Sequence, residues 1–345
     1  MSKNPMKTIP VEESVGTVLC QDITEIVPGK FKGVLFSKGH IIKEEDIPRL
    51  LDVGKSNLYV WELKEGDIHE NEASLRLAAA TSGQNISHDM QPKEGKVGLF
   101  ATQRGLFTVN SDLLLEMNMV ESVTMASLPK NYPVEAGQKV AGVRVVPLVV
   151  PNTVLETVEQ LAFTRGKVFN VLPYKPLICG VVTTGSEVYL GRIKDKFGPV
   201  MKEKIDFFGG RFLGQIFCPD NMTVISQAID EHIKNGADLI ILTGGMSVDP
   251  DDMTPGAIRA TGAHVITYGA PVQPGNMMML GYLGNTTLLG VPGCAMYSKT
   301  TVLDSVLCRI FAGVRLTKLD FARMGDGGLC QSCEVCTYPK CYFCR

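Results

Sequence analysis

Two stretches of this sequence place small residues, hydroxyls and carboxylates directly after an apolar run. They are Thr183-Thr184-Gly185-Ser186-Glu187 and Thr243-Gly244-Gly245-Met246-Ser247, the second continuing into Val248-Asp249-Pro250-Asp251-Asp252. Glycines let a backbone approach a ligand closely, and successive amide N–H groups in such turns make a concave anion site without a side-chain cation. A phosphate or pyrophosphate suits that geometry. Carboxylates beside a phosphate cradle commonly hold Mg2+, which keeps several waters and bridges protein to substrate oxygens, so Asp249, Asp251 and Asp252 add a metal to the expectation. The alternative for the same residues is structural: tight strand-to-helix turns, with Asp252 as the N-cap of the helix MTPGAIRATG. Two further loops, Gly269-Ala270-Pro271-Val272-Gln273-Pro274-Gly275-Asn276 and Gly290-Val291-Pro292-Gly293-Cys294, each follow a strand and are built around Pro-Gly. Four such loops at one edge of a sheet imply a pocket.

A second kind of chemistry sits near the end of the sequence. Cys330, Cys333, Cys336, Cys341 and Cys344 read C-x2-C-x2-C-x4-C-x2-C, and thiolates at two-residue intervals on a turn can converge on a metal. Three cysteines at C-x2-C-x2-C followed by a fourth are similar to part of an iron–sulfur run, whereas the pairs 333/336 and 341/344 suit tetrahedral zinc. Five ligands exceed the four that either needs. The competing expectation is a flexible tail of free thiols. Gly325-Asp326-Gly327-Gly328 before it reads as a hinge that lets the tail move and dock a partner.

The elements that must position these residues differ along the chain. Over 1–62, short β-type runs broken by Gly and Pro predict a small β-rich module, with one helix at EEDIPRLLDVG. A mixed α+β segment follows over 63–175, with helices at EASLRLAAA and NTVLETVEQLAF and strands at KVGLFAT, LFTVN and VESVTMAS. Over 176–322, apolar strands (PLICGVVTT, RFLGQIFCP, DLIILTGG, HVITYGA) alternate with amphipathic helices, the signature of a parallel sheet covered on both faces. In TVISQAIDEHIKNG, Val224, Ile225, Ala228, Ile229 and Ile233 mark the core face, and His232 is expected to be solvated. Residues 323–345 form the cysteine-rich tail.

The chain has 345 residues, 45% of them hydrophobic, and a net charge of −2. It is long enough for two or three domains and lacks the basic excess of a nucleic-acid binder. No stretch approaches the roughly 20 apolar residues of a spanning helix, and Met1 to Val15 has the pattern of neither a signal nor an anchor. Five scattered cysteines and five in the tail are unlike the disulfide framework of a small secreted domain, so a reducing cytoplasm is expected. Cys294, after Gly293 at a helix start, is either a thiol of lowered pKa or a buried structural cysteine. His69, beside Glu70 and Glu72, belongs to a metal site or to a charged helix start. Met277–Met279 is expected to be strand core.

Taken in order, TTGSE, CPD, LTGGMSVDPDD, PGN and GVPG resemble the landmarks of the molybdopterin-binding domain. That domain is shared by the molybdopterin adenylyltransferase and molybdopterin molybdenumtransferase families, and the likeness covers roughly residues 176–315. It implies an α/β fold: a three-layer α/β/α domain with a mostly parallel sheet, preceded by a β-rich N-terminal region. It also implies that the TGG loop and its partners bind the phosphate end of the pterin, and that acidic residues of the first and third loops support Mg2+-dependent chemistry. Matched position by position, Thr183, Gly185, Asp220, Thr243, Gly244, Gly245, Ser247, Pro274, Gly275, Pro292 and Gly293 are the implied cofactor-binding residues. Glu187 and Asp252 are the implied catalytic carboxylates, and Asp252 the Mg2+ ligand.

The chain departs from the molybdenumtransferase pattern at Gln273-Pro274-Gly275-Asn276-Met277, where that pattern reads Arg-Pro-Gly-Lys-Pro. Both cations of the loop are replaced, and Lys202 or Lys204 is expected to supply charge instead. Ser186 stands where the pattern has Asp, and Asp249 where it has a small residue. The family's long first domain is matched only faintly, by GTVLCQDITEIVPGKF. The likeness is therefore to a divergent molybdenumtransferase-like subgroup with its own N-terminal region and a cysteine tail. It implies molybdopterin and molybdate as ligands, transfer of molybdenum to (adenylylated) molybdopterin, and a homo-oligomer. The lost cations favour a different role, a non-catalytic carrier or maturation factor serving a molybdenum hydroxylase. A third expectation is a nucleotide pyrophosphatase resembling the competence-damage-inducible family, whose N-terminal domain shares this fold.

Overall fold

An apolar run with no polar side belongs between two covering layers. In the computed structural model, which describes residues 7–27, 31–61, 65–247 and 252–344, Leu239–Thr243 is such a strand, buried at every position. It lies in the second of two compact units, which takes most of the chain from Leu172 onward; the first is built mainly of residues up to Val171.

In the second unit the strands and helices run in the order β1 (Ile178–Thr184), α1 (Ser186–Tyr189), α2 (Phe197–Phe207), β2 (Arg211–Cys218), α3 (Met222–Lys234), β3 (Leu239–Thr243), α4 (Thr254–Ala260), β4 (His264–Tyr268), β5 (Met279–Leu283), β6 (Thr286–Val291), α5 (Val302–Phe311) and α6 (Lys318–Arg323). The sheet order is β2-β1-β3-β6-β5-β4. The first four strands are mutually parallel, and β5 runs antiparallel to both neighbours. Alternate residues of each strand feed opposite layers. Val181 and Ile241 pack with Met201 and Ile205 of α2 and with α5. Val182, Ile240 and Leu242 pack with Ile225 and Ile229 of α3 and with Ile258 of α4. The domain is therefore a three-layer α/β/α sandwich. Helix α5 is buried at every position except Asp304, with Ser305 and Arg309 the polar side chains among its buried residues, as suits a helix inside a domain. Asp304 closes a capping box with Thr301 and pairs with Lys204.

On α3 the buried stripe is Ile225, Ala228, Ile229 and His232, an i, i+3, i+4, i+7 progression. His232 is thus buried, against the expectation of a solvated side chain. Gly180 of β1 makes the room: a Cβ there would lie 2.5 Å from the imidazole. The ring satisfies itself by donating from Nε2 to the Val181 carbonyl at 3.1 Å.

The first unit is β-rich at its start. Lys7–Pro10 and Val18–Leu19 both pair with Asn57–Trp61, over a core that includes Val11, Leu19, Leu50 and Val60. A four-stranded antiparallel sheet follows, ordered Val123–Ser127, Lys139–Val145, Val97–Ala101, Ile86–His88. Helices Glu70–Thr81 and Asn152–Arg165 are tied by a two-pronged Arg76–Glu159 ion pair at 2.9 and 2.8 Å. Among the described residues His69 belongs to no group of three possible metal ligands. It caps the first of these helices, with Nδ1 accepting from Asn71 N (3.3 Å) and Nε2 donating to the Gly39 carbonyl (2.6 Å). Among the described residues no helix is long and apolar enough to cross a membrane.

Candidate functional site

Strands β1 and β3 are neighbours whose connections leave in opposite directions across the sheet, β1 to β2 on one side and β3 towards β6 on the other. That reversal opens a crevice at the carboxyl edge of an α/β sheet. Their registers bring the two ends level, with Thr183 opposite Thr243 and Thr184 opposite Cys218 of β2. A cavity of about 520 Å3 occupies this edge, and its lining includes Thr184, Gly185, Glu187, Asp220, Gly244, Gly245 and Asp252.

The glycines are required by the geometry. Gly244 has φ +84°, and a Cβ there would stand 2.1 Å from the Thr184 carbonyl oxygen. Gly245 (φ +51°) lies against Thr254, whose hydroxyl donates to the Gly244 carbonyl at 2.9 Å. No side chain fits where these two loops close on each other. Asp220 fastens the first loop, its Oδ2 accepting from Ser186 N (2.8 Å) and Ser186 Oγ (3.0 Å). The substitution of Ser at 186 therefore gives Asp220 a hydroxyl partner. Asp252 is not the N-cap of α4; Met253 holds that position, and Asp252 faces the cavity instead. Asp249 and Asp251 lie outside the described residues.

Thr183 and Thr243 do not line the cavity. They are fully buried beneath it, their hydroxyls 2.9 Å apart. Gln215 of β2 donates from Nε2 to Thr183 Oγ1 and to Asp195 Oδ2, both at 2.8 Å. Asp195 in turn accepts from the amides of Phe197 (2.8 Å) and Gly198 (3.0 Å) at the start of α2. The floor of the cavity is thus a hydrogen-bonded line from β3 through β1 and β2 to its rim. Lys194 and Lys196 flank Asp195 on that rim, exposed and lining the same space.

Residues 180–311 match the family model described as a probable molybdopterin binding domain. Residues 8–62 match a domain of unknown function (DUF8806). A CinA-like protein of Mycobacterium tuberculosis is 33% identical over 75 residues, which is 22% of this chain and 17% of that protein. The match thus spans less than a fifth of the length of such CinA-like relatives. A molybdopterin adenylyltransferase of Pyrococcus furiosus is 28% identical over 103 residues, 30% of this chain and 60% of that protein. Among solved structures, the tungsten cofactor synthesizing protein MoaB from Pyrococcus furiosus is 21% identical, with 39% of this chain and 91% of that one covered at a TM-score of 0.33. The molybdopterin biosynthesis enzyme MoaB of Thermus thermophilus is 18% identical, with 40% and 97% covered at a TM-score of 0.31.

Within the matched region, the four Pro- and Gly-rich loops do not meet in one place. The Gly290–Cys294 loop reaches the cavity through Met296 beyond it, while Pro292 and Gly293 stay off its wall. The loop holding Pro274 and Gly275 is off the cavity wall; it joins β4 to β5, in the half of the sheet away from β1. Gly275 (φ +115°) packs against the start of α5, where a Cβ would meet Val302 Cγ1 at 2.6 Å. Ser247 is also off the cavity wall, its carbonyl accepting from Tyr268 OH at 3.2 Å. Lys202 and Lys204 do not line this cavity and pair with Asp206 and Asp304. Lys194 and Lys196 were not singled out by motif. The available sign was Asp195 standing just ahead of an amphipathic run, the usual place for a helix-capping carboxylate.

Cys294 sits in a 3-10 turn, Gly293–Met296, and burial raises its thiol pKa, so the lowered value expected of a helix start is not found. The glycines before the cysteine tail are tied by backbone hydrogen bonds. Gly328 N donates to the Gly325 carbonyl (3.2 Å), Gln273 N to the Gly328 carbonyl (2.8 Å) and Cys330 N to the Gln273 carbonyl (2.8 Å). At the far end, Phe343 and Cys344 are buried in the core of the domain. Among the described residues, no three His, Cys, Asp or Glu side chains are gathered so as to hold one metal ion.

Proposed function

We propose that the C-terminal domain binds molybdopterin by its phosphate end in the β1–β3 cavity, and that the protein acts in molybdenum cofactor biosynthesis by transferring molybdenum to the free or adenylylated pterin. What carries this is the meeting of Gly185, Gly244, Gly245, Glu187 and Asp252 on one cavity inside the region matched as a probable molybdopterin binding domain. Backbone amides of the glycine turns donate to phosphate oxygens. Lys194 and Lys196 offset the phosphate charge, taking the place of the cations missing around Pro274. Glu187 and Asp252 fit Mg2+, which is commonly held by one or two carboxylates with the remaining positions filled by water and substrate oxygens. Bound there, the ion would withdraw charge from the phosphate. Asp220 and Asp195 hold the two walls in place through the amides they accept from.

The test is binding of purified molybdopterin, with and without Mg2+ and molybdate, to the wild type and to Asp252→Ala. Metal-dependent binding with molybdenum transfer by the wild type alone supports the proposal. Binding without conversion supports a carrier for a molybdenum enzyme, and no binding sinks it. Light scattering on the same samples tests the homo-oligomer that belongs to this proposal.

A second function is favoured by the CinA-like relatives: Mg2+-dependent hydrolysis of a nucleotide pyrophosphate in the same cavity. A glycine cradle flanked by carboxylates suits a pyrophosphate as well as a phosphate. Turnover of ADP-ribose with Mg2+, lost in Asp252→Ala, distinguishes it from pterin binding.

A further inference from the structure

The tail cysteines divide into two groups. Cys330, Cys333, Cys336 and Cys341 all line a single cavity of about 340 Å3, walled otherwise by Pro274, Thr300, Tyr338, Tyr342 and Phe343 among others. Cys344 is not on that wall. It is 2% exposed and packed in the domain core, and its backbone is fastened on both sides. Its N–H donates to the Gly327 carbonyl (3.1 Å), while its carbonyl accepts from Ser305 Oγ (3.0 Å) and Arg309 Nη2 (3.4 Å). The 333/336 plus 341/344 set, which suits zinc by spacing, is therefore broken by the fold. What is left is C-x2-C-x2-C-x4-C, the quartet whose first two spacings match an iron–sulfur run.

The shape of the site separates the two metals. Four thiolates on one Zn2+ lie about 2.3 Å from it and so within roughly 4 Å of one another, leaving no space between them. Here the four stand around a cavity large enough for several atoms, and no three converge on one ion. The Cys330 and Cys336 sulfurs have polar neighbours. Ser332, held at φ +52°, turns its N–H to Cys330 Sγ at 3.4 Å, and Thr300 Oγ1 lies 3.2 Å from Cys336 Sγ. Hydrogen bonds to the ligating sulfurs are among the features that set cluster potentials.

We propose that Cys330, Cys333, Cys336 and Cys341 ligate a [4Fe–4S] cluster, with Cys344 serving as a core residue. This does not depend on what the β1–β3 cavity binds. The test is anaerobic reconstitution of the full chain with ferrous iron and sulfide. Iron and sulfide analysis, visible absorption and electron paramagnetic resonance after reduction give the readout. The expected result is about four iron and four sulfide per chain. Cys333→Ser and Cys336→Ser, both at exposed positions, should lose most of the bound iron while keeping the wild-type far-ultraviolet circular dichroism and melting temperature. Cys344→Ser should keep the cluster wherever that variant stays folded. Uptake of one zinc per chain with no bound sulfide would overturn the proposal. So would full iron retention by Cys333→Ser and Cys336→Ser, or loss of the cluster from a folded Cys344→Ser.

Discussion

Two cavities of the C-terminal domain are built by opposite means. The one at the β1–β3 edge is lined by oxygen and by backbone, on loops fixed by strand register and by carboxylates that accept from amides. The one at the tail is lined by sulfur and aromatic rings, on a segment with no regular secondary structure that is held by a few backbone bonds to the Gln273 loop and by burial of its last described residues. The first donor set suits hard cations and phosphates, the second soft metals. One domain thus offers two chemistries that need not compete for the same ion.

The sharpest way to break that separation is Gly244→Val. It forces a side chain into a left-handed backbone against the Thr184 carbonyl, and should cost roughly 3 kcal/mol in urea denaturation. Molybdopterin binding should go with it, while iron uptake by the tail persists under conditions where the variant stays folded. If both sites fail together in the folded variant, they are not independent. Asp252→Ala should be milder, weakening molybdopterin binding about tenfold in Mg2+, or roughly 1.4 kcal/mol by calorimetry, with little change when the metal is removed. Equal weakening in both conditions would take the metal away from Asp252.

Asp195→Ala removes the acceptor for two amides at the start of α2, so a thermal or urea melt should show a loss of about 1 kcal/mol. The smallest effect expected is in thiol reactivity. Burial, with the Asp238 charge adding to it, pushes Cys179 up to about 12; burial and Glu231 push Cys218 up to about 11. In both the neutral thiol is favoured until pH passes those values. Iodoacetamide at pH 8 followed by mass spectrometry should therefore label the exposed Cys333 and Cys336 and leave Cys179 and Cys218 unmodified in the folded protein. Early labelling of Cys218 would show that the β1–β3 edge opens in solution.

The difference between the cavities also decides what the sequence could reveal. Strands β1 and β3, their TTGSE and LTGGMS loops, and the cysteine quartet within C-x2-C-x2-C-x4-C-x2-C are visible because periodicity and turn chemistry are local. The place of Pro274 and Gly275 was not visible, because it depends on β4 and β5 being added at the far edge of the sheet. Exclusion of Cys344 depends on contacts with Ser305 and Arg309, distant in sequence. The burial of His232 is hidden in the sequence for a smaller reason: its stripe with Ile225 and Ile229 is regular, but the space for an imidazole comes from Gly180 on another element. Lys194 and Lys196 carry no motif, and only the fold makes them the rim of a cavity.

The tie between Gln273 and Leu329–Cys330, with that between Gly327 and Cys344, closes the tail into a loop before any ion arrives. Bringing together the ends of a segment of that length costs an unfolded chain roughly 2 kcal/mol of entropy. Here the fold of the domain bears that cost in advance. Capture of the proposed cluster would then be an association between a prepared ligand set and its metal, unlike the small metal modules that are unfolded without one. Chelators should strip the tail without melting the sheet.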